Sequence, residues 1–142
     1  MAGDPFDLQR FVAAQDPVWE TVLAELRAGR KQTHWMWFVF PQLAGLGRSS
    51  MARHYGLSGL DEARAYRAHP VLGPRLREAC ALLLDAPEGR QAGEILGGID
   101  AVKLRSCLTL FARAAPGDEV FGRCLQRYFG GQADPLTIAE LG

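Results

Sequence analysis

The chain has 142 residues, 48% of them apolar and 23% charged, which is the composition of an ordinary globular protein and excludes disorder as its main state. Lys and Arg number 16, as do Asp and Glu, so no net charge draws the chain to nucleic acid or to an anionic membrane. No apolar run exceeds six residues, far below the roughly 20 that a membrane span needs, and Met1-Ala2-Gly3-Asp4-Pro5 has no basic or apolar leader segment. These features predict one cytoplasmic domain over residues 1–142, with neither membrane nor nucleic acid as a partner.

Val, Ile and Thr total 14 residues, too few for a sheet protein, and no alternating run of strand length occurs. The expected fold is all-α, with seven to nine helices. Three Asp-Pro pairs, at Asp4, Asp16 and Asp134, predict helix starts, because Asp accepts from free first-turn N–H groups and Pro at the next position sacrifices none. The first helix is predicted over Pro5–Gln15 and the second over Pro17–Ala28, with Trp19, Val22, Leu23 and Leu26 inward and Gly29 as its stop. A third element covers Thr33–Phe40 and ends at Pro41. Ser49 is expected to cap a short helix reaching Tyr55, and Ser58 to cap the next, which breaks at His69-Pro70. Helices follow over Val71–Leu84 and Gln91–Leu96. Asp100 is expected to cap Ala101–Arg113, and Asp118 to cap the helix that ends at Phe129.

Cys80, Cys107 and Cys124 are odd in number, lack a C-x-x-C spacing and sit among apolar residues at helical intervals. They read as buried free thiols rather than as nucleophiles. His34, His54 and His69 show no metal-ligand spacing, so neither metal nor cofactor is expected.

Three stretches are candidates for chemistry. Trp35–Phe40 holds four aromatics in six residues, with His34 before it and Pro41-Gln42 after it. A helix through it would be apolar all round and cross the middle of the domain. That core reading leaves His34, two indole N–H groups and Gln42 in need of partners. The alternative is a pocket wall, with Trp35 and Trp37 stacking a planar ring and His34 and Gln42 anchoring it. Next comes Gly45-Leu46-Gly47-Arg48-Ser49-Ser50, whose glycines and following helix start suit a phosphate, with Arg48 adding charge. It is not a Walker or dinucleotide loop, and an ordinary turn with a Ser cap also explains it. Tyr55 is expected beside this loop. The third set is Asp100, Lys103 and Ser106, either a capped amphipathic helix or an anion-favouring face.

Several strings carry a family resemblance: Asp4-Pro5-Phe6-Asp7-Leu8, Thr33-His34-Trp35-Met36-Trp37-Phe38-Val39-Phe40-Pro41-Gln42 with Gly45-Leu46-Gly47-Arg48-Ser49, His69-Pro70-Val71-Leu72-Gly73, and Asp100 with Lys103-Leu104 and Thr109-Leu110-Phe111-Ala112. The chain resembles a bacterial and fungal family of unknown function, number eighteen-ten in the usual series. Cys107 departs from the small polar residue that the resemblance implies. The resemblance implies a mostly helical domain and supplies no activity. Members often carry the name calpastatin, yet a half-apolar chain with capped helices is no wrapping, disordered inhibitor, and the inhibitory repeat is absent. Some members are fused to macrodomains, which handle ADP-ribose.

The expectation is therefore a small-molecule pocket built from His34, Trp35, Trp37, Gln42, Gly45, Gly47, Arg48, Ser49, Tyr55 and the start of the Asp100 helix with Ser106. The expected ligand is nucleotide-like or of ADP-ribose type, with its phosphate on the loop. If the site is catalytic, His34 is the acid/base, and Asp100 or Lys103 orients it or stabilises charge. The rival expectation is a protein-interaction module without chemistry, marked by an exposed apolar patch.

Overall fold

The computed structural model describes residues 3–142. Ten α-helices and one short 3₁₀ helix (Ala44–Leu46) account for the regular structure of the described residues: α1 (Gln9–Gln15), α2 (Trp19–Ala28), α3 (Met36–Val39), α4 (Ser50–His54), α5 (Leu60–Ala68), α6 (Leu72–Leu84), α7 (Ala92–Leu96), α8 (Gly98–Ala114), α9 (Val120–Phe129) and α10 (Pro135–Leu141). The all-α class is as the sequence predicts, with one-turn helices bringing the count above nine. The one β feature is an isolated bridge between Leu43 and Leu57.

The longest element is α8, 17 residues and about 25 Å. From Leu104 to Phe111 only Arg105 escapes burial, so this helix is covered on nearly every side. It packs against α5, α7, α9 and α10, while α6 packs against α2, α5 and α9. Phe111 joins Tyr66 and Phe121 in a chain of tilted rings 5.4 and 5.5 Å apart. Cys80, Cys107 and Cys124 lie fully buried in this core. Burial pushes the Cys107 thiol well up; the hydrogen bond with Cys124, then burial, does the same for Cys80, so these two are packing groups rather than thiolates.

The aromatic string is buried, except that Trp37 is only half so. It forms one helical turn rather than a helix over Thr33–Phe40. Glu25, on α2, anchors the approach to this turn. Its carboxylate accepts from Gln32 N (2.8 Å), Thr33 N (3.1 Å), Thr33 Oγ1 (2.7 Å) and Trp35 Nε1 (3.0 Å). The two backbone donors, Gln32 N and Thr33 N, would lack an intrahelical partner in any helix starting at Thr33, and Glu25 satisfies them. At the other end the Phe38 carbonyl accepts from buried Gln15 Nε2 (2.6 Å) and Tyr66 OH (3.4 Å).

Several boundaries differ from the expectation for identifiable reasons. Asp4 accepts from Leu8 N and Gln9 N, both at 2.8 Å, across a turn in which Asp7 adopts φ 53°, so α1 starts at Gln9 and not at Pro5. Asp16 does not cap α2; it pairs with Arg75 at 2.9 Å. Ser58 does not cap α5; its N–H and hydroxyl both donate to Glu62, which also pairs with Arg10 at 2.9 Å. Gly97, at φ 91°, precedes α8 in the position expected of Asp100, so Asp100 sits inside the first turn. Asp118 accepts from Val120 N (3.4 Å), while Glu119 is the residue that flanks α9. The stop at Gly29 (φ 70°) and the caps at Ser49 and Asp134 are as expected. His69 is the turn residue foreseen, its Nδ1 accepting from Val71 N and Leu72 N.

Burial works to raise the Glu25 pKa, but the four hydrogen bonds together outweigh it and bring the group to about 2, from an ordinary 4.5. A depressed carboxylate contributes stability that is present above its unfolded pKa and lost as pH falls towards its folded one. Glu25→Gln is expected to lower the unfolding free energy by about 3 kcal/mol near neutral pH. It should also flatten the acid side of the stability curve, as chemical denaturation at a series of pH values would read. A variant that keeps the wild-type decline between the two pKa values would contradict this role.

Candidate functional site

The sequence from Gly130-Gly131 returns to the flank of α8, and that return creates a cleft. Arg105 Nε and Nη2 donate to the carbonyls of Gln132 (2.9 Å) and Ala133 (2.8 Å). Asp134 N donates to Thr109 Oγ1 at 2.9 Å, and Ser106 Oγ donates to Asp134 Oδ2 at 2.9 Å. Three residues of one helix thus fix the start of α10. Opposite lies the loop from Gln42 to Ser49, whose course is fixed by hydrogen bonds from Leu57 N to Gln42 O and from Ala44 N to Leu57 O, both 2.9 Å.

Between these walls is a cleft of about 490 Å³, open to solvent, its lining mostly apolar. Leu46, Ile99, Val102 and Leu136 supply the apolar walls, while Gln42, Arg48, Lys103, Ser106 and Asp134 bring polar groups. Beneath it a narrow space of about 10 Å³ shares Gln42, Ala52 and Lys103 with the cleft and reaches Trp37, Phe40 and Tyr55. The Lys103 ammonium stands 5.3 Å from the Trp37 ring centre and 3.8 Å from Asp100 Oδ1, so it is held rather than free-swinging.

The expected residues divide. Gln42, Gly47, Arg48, Ser49, Lys103 and Ser106 line the cleft, and Trp37 and Tyr55 lie beneath it. Gly45 lies in a neighbouring groove with Glu140. Trp35 is a core residue bonded to Glu25, not a cleft wall. His34 is exposed and lines neither space, so it is not brought to Asp100 and Lys103 as an acid/base would be. Asp100 faces Lys31 at 3.0 Å and reaches the cleft only through Lys103.

The glycine loop also has a packing explanation. A Cβ on Gly47 would stand 2.3 Å from the Ala52 Cβ, so glycine is required for the loop to close on α4. One first-turn amide of that helix is already taken, since Ala52 N donates to Ser49 Oγ at 3.1 Å, and a single turn sums little dipole. The cationic side chains Lys103 and Arg48, rather than the loop backbone, are therefore the groups suited to an anion.

Ile99, Val102, Leu136 and Asp134 were not legible as site residues. The first three are among the most exposed large apolar side chains of the described residues, at 76%, 66% and 67%. Ile99 stands four positions before Lys103 and Val102 four before Ser106, a signal that helical spacing carries. Asp134 was legible only as a cap. Burial raises its pKa, but bonds from Thr137 and Ser106 and the charge of Arg105 outweigh burial and hold the carboxyl below its usual range. Among the described residues no three His, Cys, Asp or Glu side chains gather as a metal would require, and no helix is long and apolar enough to cross a membrane.

No curated protein matches the chain. The crystal structure of the conserved hypothetical protein Rv1873 from Mycobacterium tuberculosis is similar at 54% identity and a TM-score of 0.95, over 97% of this chain and 98% of that one. Residues 5–141 match the model of the family described as "Protein of unknown function (DUF1810)", and with a match over nearly its whole length the chain belongs to that family.

Proposed function

We propose that the protein binds a small nucleotide-like molecule in the cleft between the Gln42–Ser49 loop, the first turns of α8 and the start of α10. The observation that carries this reading is the convergence of Lys103, Arg48, Gln42 and Ser106 on one mostly apolar cleft of about 490 Å³. Clefts of roughly 300–1,000 Å³ with apolar walls and few polar groups are the usual form of small-molecule sites. Lys103 and Arg48 suit a phosphate, and the exposed Ile99, Val102 and Leu136 suit the flat face of a base or sugar. An ADP-ribose-type ligand is the member of this class favoured by the family's fusions to macrodomains. Catalysis forms no part of the proposal, because the one histidine expected to serve it lies outside the cleft.

Calorimetric titration and thermal unfolding against adenosine monophosphate, NAD and ADP-ribose test it. At least one is expected to bind and raise the unfolding midpoint, since binding to the folded state alone stabilises it. Val102→Trp should abolish that binding with little effect on stability, because Val102 is two-thirds exposed and a larger ring there fills the cleft. Lys103→Ala should weaken phosphate-bearing ligands by about 10–100-fold. His34→Ala should leave both affinity and stability unchanged. Failure of every nucleotide to bind, or full binding by Val102→Trp, would refute the proposal.

The same three exposed apolar side chains favour a second reading, a protein-interaction surface. It gains only if no small molecule binds and Ile99→Ser with Val102→Ser abolishes an association seen by sedimentation.

A further inference from the structure

Asp134 is nine-tenths buried, with 8% of its surface exposed, and it lines the cleft. Its two oxygens are used unequally. Oδ2 accepts from Ser106 Oγ (2.9 Å), Thr137 Oγ1 (2.6 Å) and Thr137 N (3.1 Å). Oδ1 accepts from no described residue, yet it is not sealed in the interior. Capping α10 accounts for one oxygen, and Ser or Asn serves that purpose as well. The grip of Arg105 and Thr109 on residues 132–134 fixes where the spare oxygen stands. Capping therefore leaves unexplained a preorganised carboxylate oxygen with unused acceptor capacity.

We propose that Asp134 Oδ1 is the specificity-determining acceptor of the cleft, receiving hydrogen bonds from the vicinal hydroxyls of a ribose-like sugar while Lys103 and Arg48 hold the ligand's anionic end. This rests on the cleft being a nucleotide-like site. A carboxylate repels an anion, so the phosphate belongs at the cationic side chains and a donor belongs at Asp134. A neutral hydroxyl suits this place better than an ammonium group, because Lys103 and Arg48 share the cleft with it.

Asp134→Asn isolates the spare oxygen. Its own oxygen continues to accept from Ser106 and Thr137, preserving the cap, while an NH₂ group replaces Oδ1 and turns an acceptor into a donor. Adenosine monophosphate and its 2′,3′-dideoxy analogue are titrated into the full-length wild type and the variant. The wild type is expected to prefer the ribo form by about 10–100-fold. The variant should lose that preference while keeping its affinity for the dideoxy analogue; its unfolding midpoint falls modestly, because the charge that Thr137, Ser106 and Arg105 favour is lost, and it stays folded at the titration temperature. A variant that keeps the preference overturns the role of Asp134 and leaves the cleft reading intact. Equal affinity of the wild type for the two analogues does the same, and needs no variant. If neither analogue binds the wild type, this role is overturned; the cleft reading falls only if NAD and ADP-ribose fail to bind as well.

Discussion

The tie between α8 and the segment that follows Gly130-Gly131 is the constraint on which the candidate site depends. Arg105, Ser106 and Thr109 meet residues 132–134 through side-chain hydrogen bonds that are satisfied on both partners. The buried bonds of Asp134 with Ser106 and Thr109 fix its place, because slippage would leave several buried polar groups unpaired at once. Without this tie α10 would have no defined place against α8, and the cleft would lose Asp134 and Leu136 from its wall. A helix buried on nearly all sides from Leu104 to Phe111 thus keeps its first turns free to line the cleft.

The charge distribution follows the same division. The chain as a whole is neutral, so association is not steered by a global field. Local pairs instead set the charge of each region. Asp100 is shared between Lys31 and Lys103 at 3.0 and 3.8 Å, and Lys103 rests against the Trp37 ring. Arg10 and Glu62 form a largely buried pair at 2.9 Å, which Arg10 extends to the carbonyls of His54 and Gly56. Such a pair holds the segment between α4 and α5 in place, since removing one partner would strand a buried charge. The aromatic string is positioned in the same way, by Glu25 at its entrance and by Gln15 and Tyr66 at its exit.

What the sequence revealed was mostly local chemistry. Gly29, Ser49 and Asp134 act on neighbours within a few positions, and each does what residue type alone predicts. The failures are non-local or depend on backbone shape. Asp16 prefers an ion pair with Arg75, 59 positions away in the chain, to the cap it could have made. Asp4 caps across a turn whose left-handed Asp7 no pattern marked. The aromatic string is too short for periodicity to separate a long helix from a single turn, and its entrance is anchored from outside the string by Glu25, ten positions upstream of Trp35. The site shows the same split. Gln42, Arg48, Lys103 and Ser106 were legible because their residue types suit a ligand, whereas Asp134 has its meaning from Ser106, 28 positions earlier. Trp35 and His34 depart from expectation for one reason: adjacency in the chain is not adjacency in a site, and one side chain turns into the core while its neighbour faces solvent.

The central claim is that the Gln42–Ser49 loop, the first turns of α8 and the start of α10 form one ligand site. Backbone amide NMR during titration with ADP-ribose tests it most directly, because it reports every part of the chain at once. The account expects shifts concentrated at residues 42–49, 99–106 and 134–136, with the α6 and α9 core unchanged. Spectra unaltered by saturating ADP-ribose, NAD and adenosine monophosphate alike, or shifts centred on His34 or on the face of α9 away from the cleft, would contradict it.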